Sequence, residues 1–301
     1  MQKRSIWKRY RYLKYLIPII PSLILFFTFC VYPSLQVIPL SFFKWYILKP
    51  ERTFVGLKNF IQNLRTPVSI GYLKNTLFYI LFLFVIQSVL SVLVALALHK
   101  NTLHNRAFRT FFFLPLTLSS VLVGLTWGYM YDPNLGILNH MLTALGIKGF
   151  DSFAWLGTPT RGILFIVLVH IWQGLGYPIT FFIAGLHTIP NDLYEAADVE
   201  GASPVQAFFH ITVPLMMPIF LRLTMLTLVA GATAFDYVYL LGSNMSISPT
   251  STWAVALYKA VSGTGNMGAP SSMGVMLGVV LSAFFIIQYF ATKKAEEHTG
   301  R

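Results

Sequence analysis

The stretch IPNDLYEAADVEGASPVQAFFHITVPLMMP, residues 189–218, decides how this chain is read. Away from the termini and first loops, it is the longest segment neither apolar enough nor uninterrupted enough to span a bilayer, so the apolar runs beside it are organised around it. Pro190 pre-sets φ at a helix start, and Asp192 and Glu195 put negative charge on the first turn, where the helix dipole favours it. Gly201 breaks that helix. Ser203, Pro204 and Gln206 form an S-x-x-Q capping box with proline at the first helical position, so a second helix begins there, and Pro214 and Pro218 are expected to stop it. On composition alone, this is a helix pair joining two membrane spans.

Hydrophobic residues make up 55% of the 301 residues and charged ones 11%, against roughly a quarter charged in soluble domains. The fold class is therefore all-α integral membrane protein. The net charge of +12 does not point to nucleic acid, because the basic residues are scattered at span ends instead of forming one recognition face. Cys30 is the single cysteine and lies in the first apolar run, and the seven histidines never pair at ligand spacing, so neither a disulfide, a metal site nor another cofactor is expected. No G-x-x-x-x-G-K-[ST] phosphate cradle occurs. Residues 263–268, GTGNMG, match G-x-G-x-x-G, but no βαβ unit surrounds them, so dinucleotide binding is rejected. Asn244-Met245-Ser246 is a sequon of consequence only in a glycosylating host.

Apolar runs place six spans at about 16–43, 72–98, 111–131, 162–186, 219–241 and 272–292, within a span domain of 16–292. Residues 1–15 form a basic tail (Lys3, Arg4, Lys8, Arg9, Arg11, Lys14) without acids, and 293–301 form a second tail. The first tail dominates orientation, which puts both termini and the 189–218 loop in the cytoplasm, although segment 44–71 on the other side is itself basic. Gly124/Gly128 and Gly274/Gly278 are G-x-x-x-G pairs suited to close helix packing, and 252–261 (TWAVALYKAV) is a short amphipathic piece.

The words Tyr194-Glu195-Ala196-Ala197, then Gly201-Ala202, then Ile211-Thr212-Val213-Pro214 resemble the EAA signature of bacterial ABC importer membrane subunits. The resemblance implies a type I importer permease whose loop between spans four and five docks in a groove of a separate ATPase. It makes Glu195, Ala196, Ala197, Gly201, Ala202, Ser203 and Pro214 the coupling residues. Small alanines suit close backbone approach, and a carboxylate suits basic or amide groups of a socket. Glu200 in DVEGA stands where the family usually has Asp, which keeps the charge. FVGLKNF (54–60), LKNTLFYI (73–80), PNLGILN (133–139) and FDYVYLL (235–241) resemble the sugar-transporting branch, of the first-permease type of the maltose and glycerol-3-phosphate systems. That implies a second homologous permease, two copies of an ABC ATPase, an extracytoplasmic solute-binding protein, a sugar-type substrate and a bacterial cytoplasmic membrane.

Polar and aromatic residues within spans are the candidates for a translocation path: Trp172, Gln173, Tyr177, Asp236 and Tyr239. Two readings stand. Aromatic faces and a carboxylate suit sugar rings, which offer CH faces and hydroxyl donors; the same residues equally serve interhelical hydrogen bonds and interfacial belts. A rival function, an ion-gradient-driven secondary transporter, favours internal repeats and paired intramembrane charges, and neither is found.

Overall fold

The computed structural model describes residues 17–49, 51–242 and 250–298. The basic tail 1–15, the sequon at 244–246 and the last residues of the second tail lie outside them. Among the described residues, four helices are long and apolar enough to cross a membrane: Ile20–Leu40, Pro67–Leu98, Pro204–Gly242 and Gly268–Lys294. Two bent helix pairs, Leu103–Thr117 with Ser120–Met130 and Pro159–Gly174 with Gly176–Leu186, bring the number to six when each pair is one span. The chain forms two compact units.

The larger unit comprises residues 66–258 and 277–301 and is built on helix Pro67–Leu98, which packs against Pro159–Gly174, Gly176–Leu186 and Val213–Ala232. Its core buries Tyr79, Leu83, Ile163, Ile166, Val167, Ile179 and Phe182. Pro67 starts the long helix after extended Thr66, five residues before the expected start. At its far end Arg109 donates to the carbonyls of Leu98, His99 and Lys100, which satisfies acceptors left over where a helix stops.

The third span departs from the single helix expected over 111–131. Leu103–Phe113 passes through a 3-10 turn at Leu114–Thr117, and Ser120–Met130 then leaves at 95°. Pro115 tightens the turn, and Leu118 is extended. The fourth span bends by 55° at Leu175, where Pro178 denies the carbonyl of Gly174 its helical partner. Gly176 sits at that bend against the backbone of Phe112 and Phe113. Of the G-x-x-x-G pairs, Gly124 and Gly128 face Leu240 and Leu241 of helix Asp236–Gly242, while nothing lies within 4 Å of a Cβ built at Gly278.

The expected stop at Pro214 and Pro218 does not occur. Helix Pro204–Ala207 widens into a π-turn, Phe208–Thr212, and continues as Val213–Ala232 with both prolines inside. The wide turn makes Val213 N–H bond to the carbonyl of Phe208, which leaves room where the Pro214 ring would otherwise strike the preceding turn. The first span uses the same device, with π-turn Phe27–Val31 followed by Tyr32-Pro33.

The sequence PNLGILN turns on Asp132, whose carboxylate accepts from the backbone N–H groups of Leu135 and Asn134 at 2.8 and 2.9 Å and is thereby held below the usual carboxylate range. Asn139 then bonds the carbonyls of Pro133 and Phe153, and Trp155 Nε1 bonds Asn139 Oδ1 at 2.7 Å.

The smaller unit comprises residues 1–65 and 259–276. None of Ile20–Leu40 is buried. Segment 44–71, read from sequence as basic, takes part in an antiparallel hairpin (Phe43–Trp45 with Arg52–Phe54) and contains helix Lys58–Arg65. The GTGNMG segment extends this hairpin: Asn266 bridges to Tyr46, Ile47 N–H bonds Gly265, and Met267 N–H bonds Trp45. A Cβ at Gly268 would lie 1.9 Å from the Phe43 carbonyl oxygen, so that glycine permits backbone contact and its G-x-G-x-x-G likeness is a by-product.

Candidate functional site

The 189–218 segment is a helix pair whose intervening turn is capped on both sides. Helix Asn191–Val199 closes in a Schellman motif: Gly201 N–H bonds Asp198, and Ala202 N–H bonds Ala197 at 2.9 Å. Gly201 has φ +78, and a Cβ built there would meet nothing within 4 Å, so the glycine is required for its left-handed backbone and not for space. Ser203 forms the capping box read from the sequence, with Ser203 N–H on Gln206 Oε1 at 2.7 Å and Gln206 N–H on Ser203 Oγ at 3.4 Å. The Tyr194 and Thr212 hydroxyls share a 2.8 Å hydrogen bond, which clamps the first helix to the π-turn that follows the second.

This clamp was missed in the sequence. Tyr194 and Thr212 both belong to the EAA words, but their eighteen-residue separation matches no local periodicity, so only the fold pairs them. The clamped pair presents Glu195, Ala196 and Gly201 outward with Val199, Val205 and Phe209, of which Val199 is 88% exposed. Ala197 and Ala202 are half-buried, consistent with their carbonyl and N–H roles in the turn, and Ser203 and Pro214 are exposed. Asp192, Asp198 and Glu200 make the same face acidic. Behind it lies a groove of about 580 Å³ lined by residues that include His99, His187, Asn191, Tyr194 and Thr212.

The path candidates divide. Gln173 is buried, its Nε2 donating to the Leu118 carbonyl at 2.7 Å and its Oε1 accepting from Tyr237 at 2.5 Å. It therefore satisfies the carbonyl left free by the break in the third span. Asp236 is the first residue of helix Asp236–Gly242, and its carboxylate accepts from Ser120 at 2.5 Å, the first residue of Ser120–Met130. A short break at 233–235 separates this helix from Val213–Ala232, so the expected fifth span over 219–241 is interrupted just before its acid. His170 joins the cluster: Tyr79 bonds its Nδ1 at 2.9 Å, and its ring lies 5.0 Å from Tyr237. Tyr239 stacks on Phe235 and meets Tyr258 edge-on. Trp172 and Tyr177 stand apart from these bonds, half-exposed beside Trp127 and Phe181 respectively.

Gln173→Leu tests the structural share of this cluster, because it strips the Leu118 carbonyl and the Tyr237 hydroxyl of their partner at nearly constant volume. The expected loss is about 1–3 kcal/mol for each group left unpaired. A clearly lowered thermal midpoint of the purified protein is the measurement.

The chain matches the family described as "Binding-protein-dependent transport system inner membrane component" over residues 87–295. It is 32% identical over 282 residues to the probable ABC transporter permease protein YurN of Bacillus subtilis (strain 168), covering 92% of this chain and 96% of that protein. It is 30% identical over 277 residues to the arabinooligosaccharides transport system permease protein AraP of Halalkalibacterium halodurans, covering 90% and 85%. Its fold is similar to that of a chain in the crystal structure of a bacterial ABC transporter involved in the import of the acidic polysaccharide alginate, with a TM-score of 0.81, 22% identity and coverage of 96% and 99%. With a type I importer permease fold and a match over most of its length, the chain belongs to the family of inner-membrane components of binding-protein-dependent transport systems.

Proposed function

We propose that this chain forms half of the translocation path of an ATP-driven importer for sugars or oligosaccharides, and that loop 189–218 is where a separate ATPase docks. The observation that carries the reading is the helix pair with its turn capped on both sides and clamped by Tyr194 and Thr212, which holds Glu195, Ala196 and the exposed Val199 and Val205 outward. A surface that must transmit force needs its own ends satisfied, since a fraying helix would absorb the displacement. Exposed aliphatics among small residues are what a socket can bury, with Glu195 available to a basic or amide partner. Coupling residues are Glu195, Ala196, Ala197, Gly201, Ala202, Ser203 and Pro214, to which we add Tyr194 and Thr212.

The sugar assignment rests on the likeness to AraP, a permease protein of an arabinooligosaccharides transport system, together with the aromatic candidates Trp172, Tyr177 and Tyr239, with Gln173 and Asp236 as polar members of the path. The complete assembly has a second homologous permease, two ATPase copies and an extracytoplasmic solute-binding protein, in a bacterial cytoplasmic membrane with both termini and loop 189–218 on the cytoplasmic side.

In a Cys30→Ser background, Ala196→Cys is expected to cross-link to the ATPase subunit of the assembled importer, and Val205→Cys to resist impermeant thiol reagents applied to cells. Lys49→Cys is expected to react with them. Absence of any ATPase adduct would sink the docking reading, and the reverse labelling pattern would sink the orientation.

A further inference from the structure

We propose that helix Lys58–Arg65 is a membrane-surface anchor that lies in the lipid headgroup region with its apolar face toward the acyl chains and its basic side on anionic phospholipid headgroups. Its polarity is inverted relative to a helix lying on protein in water. The residues it buries are two asparagines: Asn59 donates to the carbonyls of Ser41 and Phe43, and Asn63 to the carbonyl of Ala269 and the hydroxyl of Ser272. At the opposite side Leu57, Ile61 and Leu64, spaced i, i+4, i+7, form a stripe that is 60%, 47% and 56% exposed.

The hydrogen bonds fix where that stripe sits. Ser41 directly follows the apolar helix that ends at Leu40, and Ala269 is the second residue of the apolar helix that begins at Gly268. The helix is therefore strapped to the ends of two candidate spans, and in the chain only Thr66 separates it from the start of a third, Pro67–Leu98. Span ends mark the boundary between hydrocarbon and water, where an amphipathic helix lies in the plane of the membrane. An apolar stripe at that level meets acyl chains if it is free of protein partners.

Charge selects the headgroup. Lys58 and Arg65 lie together along one flank of the stripe, both exposed, and the first helical turn holds no acid. Lys58 opposes the helix dipole, which anionic phosphate would offset. Glu51 is the single acid between residues 44 and 71. The long basic stems reach headgroups while their methylenes cover the stripe's edge.

The test uses the assembled importer in lipid nanodiscs, with the permease in a Cys30→Ser background and spin labels at Ile61→Cys, Leu64→Cys, Gln62→Cys and, as a hydrocarbon standard, Phe29→Cys. Labels at 61 and 64 are expected to collide with oxygen more than with a water-soluble nickel chelate, approaching the Phe29 standard, with the ratio lower at 62. Preference for the nickel chelate at 61 and 64 would place the stripe in water, and exclusion of both probes would place it under another protein; either overturns the anchor. Lys58→Gln with Arg65→Gln is expected to retain fewer phosphatidylglycerol molecules in native mass spectra from mixed phosphatidylglycerol and phosphatidylcholine discs. Equal retention would overturn the headgroup assignment.

Discussion

Glu195→Lys is expected to reach the membrane at normal abundance, assemble poorly with its ATPase and lose uptake. Glu195 is exposed on a helix that closes in a Schellman motif and is clamped at Tyr194, so reversing its charge leaves the local fold intact. The damage falls on the partner: truncating one member of a buried charged pair costs about 2–5 kcal/mol, and placing a like charge there costs at least as much. Gly201 separates two further causes. Gly201→Asn keeps a residue tolerant of φ +78 and is expected to stay near wild type, whereas Gly201→Val forces a β-branched side chain into that backbone, at about 1–2 kcal/mol or more. Gly201→Asp tolerates the backbone better than valine but adds a fifth acid to a face already carrying Asp192, Glu195, Asp198 and Glu200. It is expected to impair docking by repulsion, and high salt is expected to relieve it in part. Uptake rates and ATPase co-purification, measured together, check all four variants.

Gly176→Ala is expected to be among the most destabilising single-methyl additions in the membrane domain. The added Cβ would stand 2.6 Å from the Phe112 carbonyl oxygen and 2.7 Å from the Phe113 Cα, both backbone atoms that have no rotamer through which to withdraw. Overpacking of this kind costs about 1–3 kcal/mol or more. Here it also pries the bend of the fourth span from the helix leading into the third. Gly278→Ala, with nothing within 4 Å, is the matched control and is expected to leave stability unchanged. Thermal inactivation midpoints of the two variants in one detergent provide the comparison.

The loop was legible because its signals are local. Gly201, Ser203, Pro204 and Gln206 specify a turn and a cap through neighbours three or four residues away, and the structure forms both. Among the described residues, the apolar runs overlap the four helices long and apolar enough to cross a membrane, since composition decides what a bilayer accepts. What composition does not encode is where a span breaks. The bend between Thr117 and Ser120 depends on Gln173 reaching across to the Leu118 carbonyl, and the interruption before Asp236 places that acid beside Ser120. Both partners are more than fifty residues away in sequence. The prolines misled for a related reason: Pro214 does end an ordinary α-helix, and only a preceding π-turn lets the backbone carry on.

That continuity changes what the loop is attached to. From Pro204 to Ala232 the backbone stays helical, a rod about 40 Å long. Its loop end abuts the clamped helix pair, and its other end stops at the break before Asp236. A rod converts rotation into travel in proportion to its length, so a tilt of about 5° at one end sweeps the other through about 3–4 Å. In the proposed docking, an angular movement too small to unseat the loop becomes a linear stroke comparable to the width of a hydrogen bond, delivered where Ser120 meets Asp236.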